Sequence, residues 1–183
     1  MKLSTWVLKK MGWNIYGRIP DDIKQSVLIV APHTSLWDTI IGRLAFWHLD
    51  HDIKILIKGE AFFWPFSILL KAIGGMPVNR QKNTRMVETI ANMYKKHDEL
   101  IIVITPEGTR TRVENWKMGF YYIAQKAKIP IALGWMDYEK KEGGVAKMFY
   151  PTNNIEKDMA EIKEFYSGLK GKHPEKSNTI PLT

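Results

Sequence analysis

The chain has 183 residues, 45% hydrophobic and 25% charged, a length and balance that suit one globular domain and exclude wholesale disorder. It has no cysteine, which excludes a disulfide scaffold, a thiolate zinc site and a cysteine nucleophile, and fits a reducing compartment. Lys and Arg number 27 against 19 Asp and Glu, and the formal net charge of +8 favours an anionic partner: nucleic acid, an acidic membrane or a phosphorylated substrate.

The first segment, 1–18, places Lys2, Lys9, Lys10 and Arg18 beside Trp6 and Trp13. Its apolar residues cover a broad helical arc opposite Lys2, Thr5 and Lys9, which predicts a basic amphipathic helix. Such a helix either lies in a membrane interface or packs on the domain. The longest greasy stretch, Ala61 to Leu70, is too short to cross a bilayer. The N-terminus lacks the core and cleavage site of a signal peptide, so a cytosolic chain is expected, soluble or on a membrane surface.

From Ser26 onward strands and helices alternate. Ser26–Ala31, Ile53–Ile57, Met76–Val78, Leu100–Ile104 and Pro130–Trp135 are short apolar runs read as buried strands. Helices are predicted over Thr34–Leu49, capped by Thr34 or Ser35, over Asn83–His97, Trp116–Lys128 and Ile155–Phe165, and over Glu60–Ile73 with a break near Pro65. Gly143-Gly144 reads as a hairpin turn before a strand at Val145–Tyr150, and the polar tail from Gly168 is expected to be loose. The pattern predicts an α/β fold with a largely parallel mixed sheet flanked by helices. It divides into a basic amphipathic segment over 1–22, the main domain over 23–167 and a polar tail over 168–183.

In such sheets sites form at the carboxyl ends of strands. After the first buried strand comes Pro32-His33-Thr34-Ser35-Leu36-Trp37-Asp38. If His33 precedes the helix, Asp38 can reach back and hold one imidazole nitrogen, leaving the other to take a proton from a hydroxyl. The plain alternative is a helix cap and a solvated carboxylate. After Leu100–Ile104 comes Thr105-Pro106-Glu107-Gly108-Thr109-Arg110, with Arg112 and Lys117 beyond, where glycine permits close backbone approach and arginine offers a fork for phosphate. Gly74-Gly75-Met76-Pro77-Val78-Asn79-Arg80 would form another wall. Phe62, Phe63, Trp64 and Phe66 around Pro65 are either a lipid-facing patch or a buried helix. His48, Asp50, His51 and Asp52 read as a solvated turn and not as a metal site.

Taken together these blocks resemble the lysophosphatidate (1-acylglycerol-3-phosphate) acyltransferase family, as a short bacterial-type member. The likeness rests on His33 and Asp38 separated by four residues, Gly75 through Arg80, Pro106-Glu107-Gly108-Thr109-Arg110 followed by Lys117 and Gly119, and Ile129-Pro130-Ile131, all in order. Asn79 stands where an acidic residue is usual, and Ala132 where a second proline is usual. The resemblance implies acyl transfer from an acyl-CoA or acyl carrier protein thioester to a lysophospholipid hydroxyl, most directly that of 1-acylglycerol-3-phosphate. His33 would act as the general base and Asp38 as its orienter. Arg80, Glu107, Gly108, Thr109, Arg110 and Lys117 would bind the acceptor, with Arg80 and Arg110 on its acidic head group and Glu107 holding an arginine or a substrate hydroxyl. Amides near Ser35 and Leu36 would stabilise the oxyanion. The reaction needs no metal and no cofactor beyond the thioester co-substrate. It implies an anionic membrane surface as partner, no nucleic acid, and a cytoplasmic, peripheral place on the inner face of the cell membrane. Two alternatives stay open: a different lyso-lipid acceptor, such as an amino-acid-containing lipid, and a non-catalytic anionic-lipid-binding protein.

Overall fold

The computed structural model describes residues 2–78, 86–177 and 179. Its centre is a seven-stranded sheet formed by β1 (Asn14–Tyr16), β2 (Gln25–Ala31), β3 (Ile53–Lys58), β4 (Gly75–Val78), β5 (Leu100–Ile104), β6 (Ile131–Asp137) and β7 (Glu142–Phe149). The spatial order is β1-β7-β6-β2-β5-β3-β4, and only the β6–β7 pair is antiparallel. The expected α/β architecture with a largely parallel mixed sheet is therefore what forms.

The helices are α1 (Leu3–Lys10), α2 (Leu36–His48), α3 (Phe66–Ala72), α4 (Met86–Tyr94), α5 (Gly119–Ala127) and α6 (Ile155–Tyr166). β2 reads Gln-Ser-Val-Leu-Ile-Val-Ala because both its faces are covered. Val27, Ile29 and Ala31 pack with α4, α5 and α6, while Leu28 joins Phe46 of α2 on the opposite face.

Three expectations are corrected. The first segment is helical only to Lys10. Gly12, at φ +79°, ends α1 through a Gly12 N–H bond to Lys9 C=O, and residues 14–16 then join the sheet beside β7. Gly143 and Gly144 are no turn but lie inside β7, where a Cβ on Gly144 would stand 1.8 Å from the Tyr16 carbonyl oxygen. The described part of the tail, residues 168–177 and Thr179, is not loose: Ser177 and Thr179 are buried, and the Gly168 N–H donates to the Thr179 carbonyl.

The α3 segment answers another question. No residue of α3 is buried, and Phe63, Trp64, Phe66, Ile68 and Leu69 are all exposed, so the buried-helix reading fails. Among the described residues no helix is long and apolar enough to cross a membrane, and no His, Asp and Glu cluster could hold a metal. His48 and His51 have local partners instead: His48 Nδ1 lies 2.8 Å from Thr5 Oγ1, and His51 Nε2 accepts the Ile19 N–H.

Candidate active site

Three neighbouring parallel strands, β5, β2 and β6, deliver their carboxyl ends side by side. β2 leads into His33, β5 into Glu107, and β6 into Tyr138. Residues separated by some seventy to a hundred positions are thus brought to one edge of the sheet.

His33 precedes α2, and Ser35 is the helix N-cap. Asp38 sits at the third helical position and closes a capping box with Ser35. Its Oδ2 accepts the N–H groups of Thr34 (2.7 Å) and Ser35 (2.8 Å) and lies 3.2 Å from His33 Nδ1. Its Oδ1 accepts the Tyr138 hydroxyl at 2.6 Å. The cap and the histidine holder, weighed as alternatives from the sequence, are one residue doing both. Burial pushes the Asp38 carboxyl up, but the bonds from His33, Tyr138, Ser35 and Thr34 outweigh it and hold it below its ordinary value. An ionised Asp38 makes Nδ1 the protonated nitrogen, so Nε2 is left as the acceptor.

Glu107 lies on the other side of the same turn. It is only 2% exposed, and its Oε2 accepts the His33 N–H at 2.7 Å. This oxygen is held by the backbone of the turn that carries His33. Its Oε1 is buried with no hydrogen-bond partner. Desolvation pushes its pKa up to about 7; the His33 N–H opposes this and the Asp38 charge adds to it.

Gly108 follows at φ +66°, a conformation that glycine adopts without strain. A Cβ there would also stand 2.9 Å from Lys117 Nζ, so the lysine lies across the glycine. Gly108 and Lys117 line the same cavity of about 460 Å³ as His33 and Asp38. That volume is within the usual range for small-molecule sites. Beyond the polar mouth the cavity is apolar, with Phe46, Ile53, Leu56, Val103 and Phe120 on its walls. Gly42 of α2 lines it too, and a Cβ there would meet nothing within 4 Å. Arg43 Nη1 donates to the Ile53 carbonyl at 3.1 Å, setting a cation at the cavity wall. Thr109 is half-buried, its Oγ1 3.1 Å from that of Thr111, and Arg110 is exposed on the same loop. Arg80 lies outside the described residues.

One expected element changes. The Ser35 N–H is engaged by Asp38, which removes it from the oxyanion role expected of it. Tyr138 is the site residue that the sequence reading missed. Its only local signal is its place just after a strand of a parallel sheet.

A family model described as Acyltransferase matches residues 14–133, well over half of the chain. The chain belongs to the acyltransferase family. The matched span contains His33, Asp38 and Glu107, and ends short of Tyr138 and the tail. No curated protein matches the sequence. Among solved structures, the fold is similar to that of PlsC from Thermotoga maritima, a 1-acyl-sn-glycerophosphate acyltransferase. The TM-score is 0.62 at 16% identity, over 88% of this chain and 73% of that one.

Proposed function

We propose that this acyltransferase moves a fatty acyl group from acyl-CoA or acyl carrier protein to the free hydroxyl of a lysophospholipid, with 1-acylglycerol-3-phosphate the first candidate acceptor. The observation that carries this reading is the His33–Asp38 pair at the mouth of an apolar cavity of about 460 Å³.

His33 Nε2 takes the acceptor hydroxyl proton as the oxygen attacks the thioester carbonyl carbon. The tetrahedral intermediate collapses, the C–S bond breaks, and the thiolate leaves with the proton from the His33 imidazolium. The products are an ester and a free thiol, and the imidazole returns to its starting tautomer. No acyl-enzyme forms, in keeping with a chain that has no cysteine. Asp38 stabilises the imidazolium while it exists. The acyl chain occupies the apolar part of the cavity. Lys117 at the mouth, with Gly108, Thr109 and Arg110 on the adjoining loop and Arg80 from the Gly75–Arg80 stretch, meets the acidic head group.

A membrane surface as the source of acceptor is supported by exposed apolar side chains near the site. Leu36, Trp37 and Ile40 stand on the first turns of α2, and Phe63, Trp64, Phe66, Ile68 and Leu69 form a second group. Lys172 Nζ lies 4.9 Å over the Trp37 ring, and the net charge of +8 suits an anionic leaflet. The protein then works as a peripheral enzyme on the cytoplasmic face of the cell membrane.

The test is acylation of a panel of lyso-lipids, phosphate-bearing and amino-acid-containing, with acyl-CoA and acyl carrier protein donors. Thioester-dependent ester formation on lysophosphatidate is expected. Product only on acceptors without phosphate would move the assignment to another lyso-lipid. No product from folded, vesicle-bound protein would favour a lipid-binding role.

A further inference from the structure

After α6 the chain reverses at Gly168, at φ +81°, and residues 169–177 with Thr179 return across the site edge of the sheet. The segment closes on itself: the Gly168 N–H donates to the Thr179 carbonyl at 2.9 Å, and Thr179 Oγ1 donates to the Leu169 carbonyl at 2.6 Å. Ser177 is 0% exposed, and its carbonyl accepts the Arg112 guanidinium.

Its other contacts reach the catalytic turn. The His173 N–H donates to Thr34 Oγ1 at 3.1 Å. Gly171 packs so tightly that a Cβ there would stand 2.8 Å from both Oγ1 and Cγ2 of Thr34 and 3.3 Å from Pro32 Cγ. The Lys170 carbonyl accepts the Tyr138 N–H at 2.8 Å, and Tyr138 in turn donates to Asp38. The segment therefore touches the three loops that follow β2, β5 and β6, which carry His33, Glu107 with Arg112, and Tyr138. Loops from separate strands are the mobile part of such a site, and a displacement of about 1 Å can cost on the order of a hundredfold in rate.

We infer that residues 168–177, pinned by Thr179, are a positioning strap for the catalytic turn, with Gly171 and the His173 amide holding Thr34 and, through it, the His33 imidazole. The inference rests on the acyl-transfer reading for its kinetic readout. It assigns a role in the reaction to a segment beyond the span that the family model matches.

The test is a double-mutant cycle between Gly171→Ala and Thr34→Ala in the full-length protein. Gly171→Ala alone is expected to lower kcat roughly tenfold or more, with KM for donor and acceptor held within about twofold, and to move the imidazole ¹⁵N signals of His33, as a shifted near-attack geometry requires. In the Thr34→Ala background the same alanine is expected to change little, because both atoms it would strike are gone. Wild-type kcat and unmoved His33 signals in Gly171→Ala would overturn the inference, as would an equal loss in both backgrounds. Should Gly171→Ala fail to fold, Thr34→Ser and Thr34→Val decide: serine keeps the acceptor for the His173 N–H and rescues turnover that valine loses, and equal turnover in the two overturns the strap. If the wild type transfers no acyl group on any acceptor, the functional reading fails, while the His33 signals still report on the strap.

Discussion

Asp38 and Glu107 flank the same turn and are buried alike, at 3% and 2% exposed, yet their acidities move in opposite directions. Asp38 is ringed by donors from His33, Thr34, Ser35 and Tyr138. Glu107 accepts the His33 N–H through one oxygen and has a buried, unpartnered second oxygen. Burial by itself penalises either anion, and the hydrogen bonds decide which one survives. The turn is thus held from one side by a carboxylate that stays charged and from the other by a carboxyl that titrates near neutrality.

The sharpest way to break this contrast is to remove the charge that survives. Asp38→Asn keeps the shape of the site but can present the wrong tautomer of His33, and kcat is expected to fall about 10³- to 10⁴-fold in steady-state ester formation. Activity within tenfold of wild type would show that Asp38 is a helix cap alone.

Glu107 gives the next largest effect, and its sign is fixed by linkage. Folding raises its pKa from about 4.5 to about 7, so the native state keeps a proton that the unfolded chain releases. Its contribution to stability is fully present below pH 4.5 and is lost as pH rises through 7, a swing of roughly 3–4 kcal/mol. Urea denaturation at pH 5.5 and 8.5 should show a smaller loss for Glu107→Gln than for wild type. Equal losses would contradict a titrating Glu107. Glu107→Ala, by leaving the His33 N–H buried and unpaired, should cost about 1–3 kcal/mol at either pH.

Tyr138→Phe refines the comparison with the smallest effect, because it takes one donor of several from Asp38. Roughly three- to tenfold in kcat is expected, in line with the net worth of about 0.5–1.5 kcal/mol for one hydrogen bond among several. Asp38 loses a bond to its ionised form, so its pKa rises toward the ordinary carboxylate value. The stability that Asp38 adds is present above its unfolded pKa near 3.8 and is lost as pH falls through the lower folded value, and Tyr138→Phe narrows that window. An acid-denaturation midpoint equal to that of wild type would show that the Tyr138 bond is not felt by the charge.

Much of this was legible in the residues. The spacing of His33 and Asp38 makes chemical sense once the histidine stands before a helix and the aspartate reaches back over its first turn. The strand-end position of Glu107 was also legible, but the direction of its side chain was not, because local sequence does not say which neighbouring loop will lie beneath it. Tyr138 was hidden for a topological reason: β6 follows β5 along the chain, but β2 lies between them in the sheet. The strap was hidden because a polar run such as Gly171-Lys172-His173 looks unstructured until the groups it satisfies, Thr34 and Tyr138, are placed beside it. Gly12 did carry a stop signal for the first helix, in a segment whose apolar pattern ran past it.

In the proposed reaction His33 is the base that activates the acceptor hydroxyl. The most direct test is ester formation from an acyl thioester and lysophosphatidate by wild type and His33→Ala, each shown folded and vesicle-bound, with product quantified by mass spectrometry. Robust turnover is expected for wild type and a loss of about 10²- to 10⁴-fold for the variant, the span that removal of a general base produces. Undiminished turnover in His33→Ala would contradict that role.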